Sequence, residues 1–515
     1  AECFRRAENE VRAHTLAQKM EAAICAQDFG DSTQRTAEEY HELCPHGELY
    51  EMFHAEAALA HKNYDTALHF AVAAYEKRRM SVKLYGLLYR VYYETGQYDR
   101  AMQFLVLSDE QDDIILPREQ EARIAFFRKL SAAASEARYA PFLKMPYLED
   151  GQMRMRIQTL VGEELPRFSE ELPRYWAGIY NPYGQSFIKD KVLDLMNEKT
   201  VEYGLPIYND FPFDLMKAEE HTAVQAEPVE GVPVLLPIAA KEAGQRLHFT
   251  NEQLDRSMIL SKGEFKFFRI EEPVVIRSEI PFAVGAPIVL RHSPQRKKFV
   301  LNILVDGLSW REMLWQHCSL VPNILRFFEK GVIFDNSFST GEYTYPALSS
   351  IETGVYQHHT QIAMPGIPFA MPARYVTVSE QMKQLGYYCV NIQGDAEGVY
   401  NGATRGYDRL IVNHWISRVS DGVERTIRHL EAFEECDNSL LMHFEDAHPY
   451  NADMSTPVDA QTHLSLADAL QEQDTAASVF LKPNPLSQYV NRSEIRAMDR
   501  QLGYLFDYIE QHYKE

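Results

Sequence analysis

The chain has 515 residues, which exceeds the size of one ordinary domain and predicts two or three domains. Apolar residues make up 45% and charged residues 24% of the chain, as in ordinary globular proteins. The 52 basic and 74 acidic residues give a net charge of −22. This charge disfavours binding to nucleic acid, because that binding needs a basic surface to replace the phosphate counterions. An anionic substrate stays open, since a bound metal ion reverses the potential locally.

The cysteine pattern and the hydropathy indicate the cellular compartment of the protein. The six cysteines lie singly, with no CxxC pair, which is typical of free thiols in a reducing compartment. No run approaches the roughly 18 to 20 apolar residues that span a bilayer, and no signal-peptide pattern is visible. The sequence therefore predicts a cytoplasmic location, with no transmembrane segment in this chain; a removed leader or an anchor outside the chain is the alternative.

The first segment, residues 1–140, has helical periodicity and contains an internal repeat. The stretches HKNYDTALHFAVAAYEKR and TGQYDRAMQFLVLSDEQD align without gaps, with Tyr64 over Tyr98 and Ala67 over Ala101 at an offset of 34 residues. This period and the small alanines resemble the tetratricopeptide (TPR) family. An unrelated pair of helical hairpins is the alternative. The resemblance implies a module that binds a protein or peptide partner and does no chemistry.

The second segment, residues 141–295, loses this repeat. Prolines become frequent, and the short runs VPVLLPI, FKFFRI and PVVIRSEI favour strands. We interpret the segment as a mixed, β-containing connector of unknown role. The basic stretch RHSPQRKK at 291–298 is typical of a solvated linker.

The third segment, residues 296–515, alternates strand-like and helix-like patterns. The predicted strands are FVLNILV, VIFDNSFS, YYCVNIQ and NSLLMHF. The predicted helices are VPNILRFFEKG, VSEQMKQLG, VERTIRHLEAFEE and SEIRAMDRQLGYLFDYIEQHY. We expect FVLNILV to be buried on both faces, as in parallel sheets. The alternation predicts a doubly wound α/β sheet that binds ligands at the carboxyl ends of its strands.

Polar residues follow these strands at three places. Asp306 ends FVLNILVD beside Gly307 and suits a hard metal ion, although a turn or helix-capping aspartate is the alternative. Thr344 follows VIFDNSFS within STGEYTYPALSSIETG, and His448 follows the strand of LLMHFEDAHPY. These three side chains are expected to converge on one edge of the sheet. His443 lies inside a strand and is interpreted as a buried histidine, not as a ligand.

The ordered series VDG, VPNILRFFEKGVIFDNSFS, TYPALSSIETGVY, GYYCVNIQG and HFEDAHPY resembles the sulfatase-like branch of the alkaline phosphatase superfamily. That branch includes arylsulfatases, phosphoethanolamine transferases and lipoteichoic acid synthases. The resemblance implies that Asp306 and Thr344 bind a divalent metal ion (Mn, Zn, Mg or Ca). It further implies that Thr344 is the nucleophile and that His448 lines the phosphate or sulfate pocket. A helix N-terminus after Pro346 would add N–H donors for anionic oxygens.

Two departures from sulfatases favour phosphate esters. Sulfatases carry Cys or Ser at the nucleophile and an arginine four residues later, whereas this chain has Thr344 and Leu348. Threonine is the nucleophile of the phosphatase, phosphodiesterase and phospho-group transferase branches. The resemblance implies a surface glycopolymer or a lipid-linked group as the substrate.

The resemblance also implies an Asp–His or Asp–Asn metal pair that would follow Glu515. Because Asp306 and Thr344 alone make a poor divalent site, we expect these 515 residues to be the first part of a longer protein. We expect this part alone to bind metal weakly and to lack turnover. The alternative is a non-catalytic TPR scaffold that carries a sulfatase-like pseudoenzyme domain.

Overall fold

The computed structural model describes residues 2–78, 81–97, 100–101, 104, 142–149, 152–167, 170–187, 189–190, 212–310, 318–362, 370–394, 398–399, 401–413, 417–448, 458–470 and 484–513. They fall into two compact units. The first lies within Ala1–Ala134, Lys144–Met155 and Gly366–Pro368. The second lies within Ser135–Leu143, Arg156–Pro365 and Phe369–Glu515.

The first unit is helical, as predicted. Its helices are α1 (Glu2–Ala26), α2 (Asp31–Leu43), α3 (Leu49–Ala60), α4 (Tyr64–Lys77) and α5 (Val82–Glu94). Helix α1 packs against α2, α3 against α4, and α4 against α5. One apolar cluster of this unit consists of Leu16, Met20, Ala23, Ala37, Tyr40, Leu49 and Phe53.

The backbone of the first unit repeats at the predicted offset. Lys62 and Gly96, which are 34 residues apart, both have left-handed φ angles, of 58° and 72°. The next residues, Asn63 and Gln97, each donate their N–H to the carbonyl five residues earlier, at 2.9 Å in both cases. The aligned alanines, Ala67 and Ala101, are fully buried. Tyr98 lies outside the described residues, and assignment to the TPR family stays a prediction.

The matched turns allow a test of this repeat. Gly96→Ala should destabilise the surrounding helices by about 1 kcal/mol, because L-residues are strained at this φ and no atom lies within 4 Å of the added methyl. Lys62→Gly should instead stabilise its turn by up to about 1 kcal/mol. Hydrogen exchange of the backbone amides in 49–60 and 82–97 measures both effects. Equal protection in all three proteins would contradict the shared turn geometry.

The second unit is built on one mixed sheet, and most of a separate two-stranded sheet belongs to the first unit. The strands are β1 (Phe142–Glu149), β2 (Gln152–Thr159), β3 (Tyr175–Ile179), β4 (Phe213–Ala226), β5 (Val234–Ala240), β6 (Gln245–Thr250), β7 (Asp255–Leu260), β8 (Phe265–Ile270), β9 (Val274–Gly285), β10 (Ile288–Val289), β11 (Phe299–Val305), β12 (Tyr388–Gln393), β13 (Arg409–Val412) and β14 (Asn438–Phe444). Strands β1 and β2 form the small sheet. Among the described strands the main sheet has twelve, with the path β10-β5-β9-β4-β13-β12-β14-β11.

The parallel part of the main sheet is β11-β14-β12-β13. The sheet is mixed because β4 pairs with β13 in the antiparallel direction. The second half of β4 continues into the antiparallel strands and pairs with β9. The strands predicted from VPVLLPI, FKFFRI and PVVIRSEI are confirmed as β5, β8 and β9. The connector therefore extends the same sheet that contains the α/β strands.

A buried ion pair joins the two parts of the sheet at the β4–β13 pairing. Arg409 binds the carboxylate of Asp214 with two hydrogen bonds, of 2.8 and 2.5 Å, and both residues are buried. A buried guanidinium is stable only when it is paired in this way.

Helices accompany the main sheet in the second unit. They are α6 (Pro322–Phe327), α7 (Thr344–Thr353), α8 (Gln357–Thr360), α9 (Val378–Gln384), α10 (Val419–Ala432), α11 (Val458–His463), α12 (Leu466–Ala469) and α13 (Pro485–His512). Helices α6, α10 and α13 share one apolar cluster with β14, whose members include Val321, Val423, Met442, Phe444, Ile495, Met498, Leu502, Leu505 and Phe506.

Two predictions for the strands are wrong. The run VIFDNSFS at 332–339 is not a strand, and Val332, Phe334 and Phe338 are more than three-quarters exposed. FVLNILV is a strand, but it is not buried on both faces. Strand β11 pairs only with β14 among the described strands, so its side chains are half-buried and Asn302 is exposed.

The basic stretch at 291–298 is mostly exposed, as expected of a solvated linker, but hydrogen bonds also anchor it. Asp437, whose side chain is fully buried, accepts a hydrogen bond from His292 Nδ1 at 2.8 Å and one from the Ser293 N–H at 3.0 Å. Arg296 also binds this carboxylate. The segment before β11 is therefore fixed to the residue before β14.

Within the described residues, no helix is both long and apolar enough to cross a membrane. The five described cysteines are free. Burial raises the pKa of Cys389 and of Cys436 to about 12, so these two thiols are unreactive at neutral pH.

A buried histidine predicts how the stability of the second unit depends on pH. His429 of α10 is buried, and its Nε2 lies 2.9 Å from Asn438 Oδ1. Burial, with the nearby charge of Arg409, lowers its pKa from 6.5 to about 3. The unfolded chain therefore binds a proton below about pH 6.5 that the folded chain does not. The contribution of His429 to stability is complete above that pH and is lost as the pH falls towards 3.

Because of His429, the free energy of unfolding should be about 2 kcal/mol lower at pH 5 than at pH 8. His429→Gln should remove this part of the pH dependence. Urea titrations followed by tryptophan fluorescence measure it, because all four tryptophans lie between residues 176 and 415. His463→Gln, at an exposed histidine, is the control. The prediction fails if the wild type and His429→Gln lose the same stability between the two pH values.

Candidate functional site

The pairing of β11 with β14 sets the position of Asp306. The two strands are parallel and in register, with Leu304 opposite His443. The Asp306 N–H continues the ladder and donates to Phe444 O at 2.9 Å. Residues opposite each other, and residues two apart in a strand, share a face of the sheet. Asp306, His443 and Glu445 therefore lie on one face at the carboxyl ends of neighbouring strands.

Thr344 is the first residue of α7, and the structure brings it into contact with Asp306. Its Oγ1 donates a hydrogen bond to Asp306 Oδ2. Pro346 occupies the first turn of the helix, a position where its missing N–H costs nothing. The first α7 N–H groups and the positive end of the helix dipole thus lie beside the Thr344 hydroxyl.

His443 is the residue that the sequence interpretation missed. Its side chain is 2% exposed, and Nε2 lies 3.5 Å from Asp306 Oδ2. No hydrogen-bond partner of this nitrogen is present among the described residues. Glu445 is also buried, and its carboxyl carbon lies 3.2 Å from where a Cβ would stand on Gly394. Asp306, His443 and Glu445 each offer one ligand atom, and these atoms lie within 4.8 Å of one another.

His448 lies in the turn that follows β14. Its N–H donates to Glu445 O at 3.0 Å. Gly307, with φ of +70°, packs directly on this turn, since a Cβ there would lie 2.7 Å from the Cα of His448. The absence of a side chain at Gly307 therefore allows the two strand ends to approach closely.

The charges of the site act on each other. Burial by itself raises the pKa of Asp306, but the neighbouring His443, Thr344 and His448 outweigh burial and lower it to about 2. Burial lowers the pKa of His448, and the charge of Asp306 opposes this effect. Asp306 is therefore a carboxylate at neutral pH.

Two further acidic residues near the site lie outside the cluster. Asp446 Oδ2 accepts the Val419 N–H at 2.8 Å at the start of α10, so it caps that helix. Burial raises the pKa of Asp446 to about 6. Glu342 is exposed in the loop before α7.

Residues 298–514 match the family model described as Sulfatase. No curated protein matches the chain. One similar solved structure is a protein of the alkaline phosphatase superfamily from Vibrio parahaemolyticus, at 16% identity and a TM-score of 0.28. The match covers 43% of this chain and 52% of that protein.

A second similar structure is the protein yidJ from Bacteroides fragilis, at 12% identity and a TM-score of 0.28. The match covers 43% of this chain and 60% of that protein. Members of the sulfatase family bind a divalent metal ion, and Asp306, His443 and Glu445 form a candidate site for one. The orphaned, buried Nε2 of His443 fits such an ion, because buried polar groups are otherwise hydrogen-bonded.

A matched pair of glycines tests the close approach at the site. Gly307→Ala and Gly354→Ala both place alanine at a left-handed φ, +70° and +67°, but only Gly307 lacks space for the methyl group. Gly354→Ala should cost about 1 kcal/mol of unfolding free energy. Gly307→Ala should cost at least about 1 kcal/mol more, because the turn at His448 must move. Urea titration followed by tryptophan fluorescence compares the two variants, and equal losses would contradict the contact.

Proposed function

We propose that this protein hydrolyses or transfers phosphate esters through a Thr344 nucleophile, with the help of a divalent metal ion. The observation that carries the proposal is the hydrogen bond from Thr344 Oγ1 to Asp306 Oδ2 at the N-terminus of α7. The nucleophile of the sulfatase-like families occupies the start of this helix. The proposal applies that chemistry to this chain.

Several residues of the site have separate roles in the proposed transfer. The hydrogen bond points the Thr344 proton at Asp306, which leaves lone pairs of Oγ1 available to a phosphorus atom. Attack forms the Oγ1–P bond as the bond from phosphorus to the leaving oxygen breaks, and the threonine proton passes through solvent to that leaving oxygen. The N–H groups of the first turn of α7 face the phosphoryl oxygens. A bound divalent ion would neutralise the transferring group and lower the pKa of the hydroxyl.

His448 is proposed to contact the substrate phosphate or the leaving group. Its place in the turn after β14, beside Gly307, sets it next to Asp306. Water or an acceptor hydroxyl would then release the phosphoryl group from Thr344.

Phosphate is favoured over sulfate by two residues of α7. Thr344 cannot be oxidised to the formylglycine aldehyde that sulfatases make from Cys or Ser. Leu348, in place of the sulfatase arginine, is 1% exposed and points into the core. We propose a surface glycopolymer or a lipid-linked phosphate as the substrate class, and a protein or peptide partner for the helical first unit.

Covalent trapping tests the nucleophile. After incubation with Mn²⁺ and p-nitrophenyl phosphate or bis-p-nitrophenyl phosphate, mass spectrometry should find a phosphorylated or arylphosphorylated Thr344. Thr344→Ala should lose the adduct and reduce nitrophenol release at least 10²-fold, because no other oxygen replaces the nucleophile. Thr344→Ser should keep both, and p-nitrophenyl sulfate should not react.

Thr353→Ala is the matched control, since Thr353 lies at the other end of α7 and its hydroxyl bonds to Ser349 O at 2.6 Å. This variant should keep the adduct and the turnover. Turnover that persists in Thr344→Ala would remove the nucleophile assignment. Failure of the wild type to react with either phosphate ester, under conditions where it binds metal, would favour the non-catalytic scaffold instead.

A further inference from the structure

One group that the packing of the described residues does not explain is the imidazole of His443. Its side chain is 2% exposed and faces Asp306. Its Nε2 has no hydrogen-bond partner among the described residues. Leaving such a nitrogen unpaired costs about 1–3 kcal/mol.

We infer that His443 and Glu445 are metal ligands together with Asp306 and Thr344, and that the site therefore prefers a transition metal such as Zn²⁺ or Mn²⁺ to Ca²⁺ or Mg²⁺. The inference rests on the cation site that the proposed function requires. It adds two ligands that sequence reasoning did not assign. It also replaces the expectation that these 515 residues bind metal weakly.

The spacing of the donor atoms supports coordination. A separation of 3.5 Å between His443 Nε2 and Asp306 Oδ2 is too long for a good hydrogen bond. It matches the roughly 3.4 Å between two ligands of a tetrahedral ion with bonds of about 2.1 Å. The third ligand atom, from Glu445, lies within 4.8 Å of the other two. A small inward movement of that carboxylate would complete the set.

The donor types indicate the class of metal. Ca²⁺ and Mg²⁺ take oxygen ligands, whereas imidazole suits Zn²⁺ and other transition metals. The sheet holds these donors rigidly, since Leu304 and His443 are paired in register and Asp306 extends the ladder. A rigid nitrogen donor that cannot turn away disfavours an all-oxygen ion.

Calorimetry on the chelator-stripped protein tests the inference directly. Zn²⁺ or Mn²⁺ should bind at one site, at least ten-fold more tightly than Ca²⁺ or Mg²⁺. His443→Ala and Glu445→Gln should each weaken Zn²⁺ binding at least ten-fold. His429→Gln, which changes a buried histidine at the other end of β14, should bind as the wild type does. Far-UV circular dichroism and urea titration check that each variant is folded.

A second measurement does not depend on variants. Pulsed electron paramagnetic resonance of Mn²⁺ bound to the wild type should show coupling to a ¹⁴N nucleus, which an oxygen-only site cannot give. Absence of that coupling, or unchanged Zn²⁺ affinity in a folded His443→Ala, would overturn the inference. Absence of metal binding by the wild type would overturn it as well.

The outcome is separable from the proposed function. If Thr344 forms the adduct but the metal affinity does not change when His443 is replaced, only the assignment of His443 as a ligand is wrong. Metal binding that depends on His443, without any Thr344 adduct, would remove only the nucleophile.

Discussion

The candidate site depends on the in-register parallel pairing of β11 with β14. That register puts Leu304 opposite His443 and lets the Asp306 N–H bond to Phe444 O. Side chains alternate between the two faces of a strand, so a shift of β11 by one residue would move Asp306 to the other face. The site would then lose its central carboxylate. Gly307 completes the arrangement, because only a residue without a side chain fits against the turn at His448.

The buried polar side chains at this end of the sheet lower the stability of the domain. His443 and Glu445 are buried, and Asp306 is largely buried beside them. Burying polar and charged groups costs free energy unless they are paired or coordinate a metal ion. The hydrogen bond from Thr344 and the neighbouring imidazoles offset this cost only in part, since Nε2 of His443 keeps no partner among the described residues. Such locally unfavourable arrangements are typical of functional sites.

The sequence predicted which segments form helices and strands better than it predicted how those segments pair and pack. Periodicity identified β12, β14, α10 and α13, because the pattern of apolar residues within an element is local information. It did not distinguish the exposed run at 332–339 from a strand, since a strand also needs a neighbour to pair with. For the same reason the apolar composition of β11 suggested burial on both faces, whereas its place at the edge of the described sheet leaves it half-buried.

The site residues were likewise predicted only in part from the sequence. Asp306 and Thr344 were recognised from their positions in an ordered series, and the structure joins them through a hydrogen bond. His443 was read as a buried histidine, which is correct for its burial but does not account for its unpaired nitrogen. The spacing of His443 and Glu445, two residues apart at the end of a strand, was a visible signal. It gains meaning only once β14 is known to lie beside β11, and the order of strands in a sheet is not a local property.

The position of Thr344 does not depend on the exposed loop before it, because both ends of α7 are held. Thr344 bonds to Asp306 at the N-terminal end. At the other end Glu352 accepts hydrogen bonds from Tyr407 Oη at 2.7 Å and from Ser379 Oγ at 2.9 Å. Burial raises the pKa of Glu352, and these donors counteract the rise by stabilising the carboxylate. Because α7 is fixed to the sheet at one end and to α9 at the other, Thr344 would keep its geometry while a substrate binds, as the proposed in-line transfer requires.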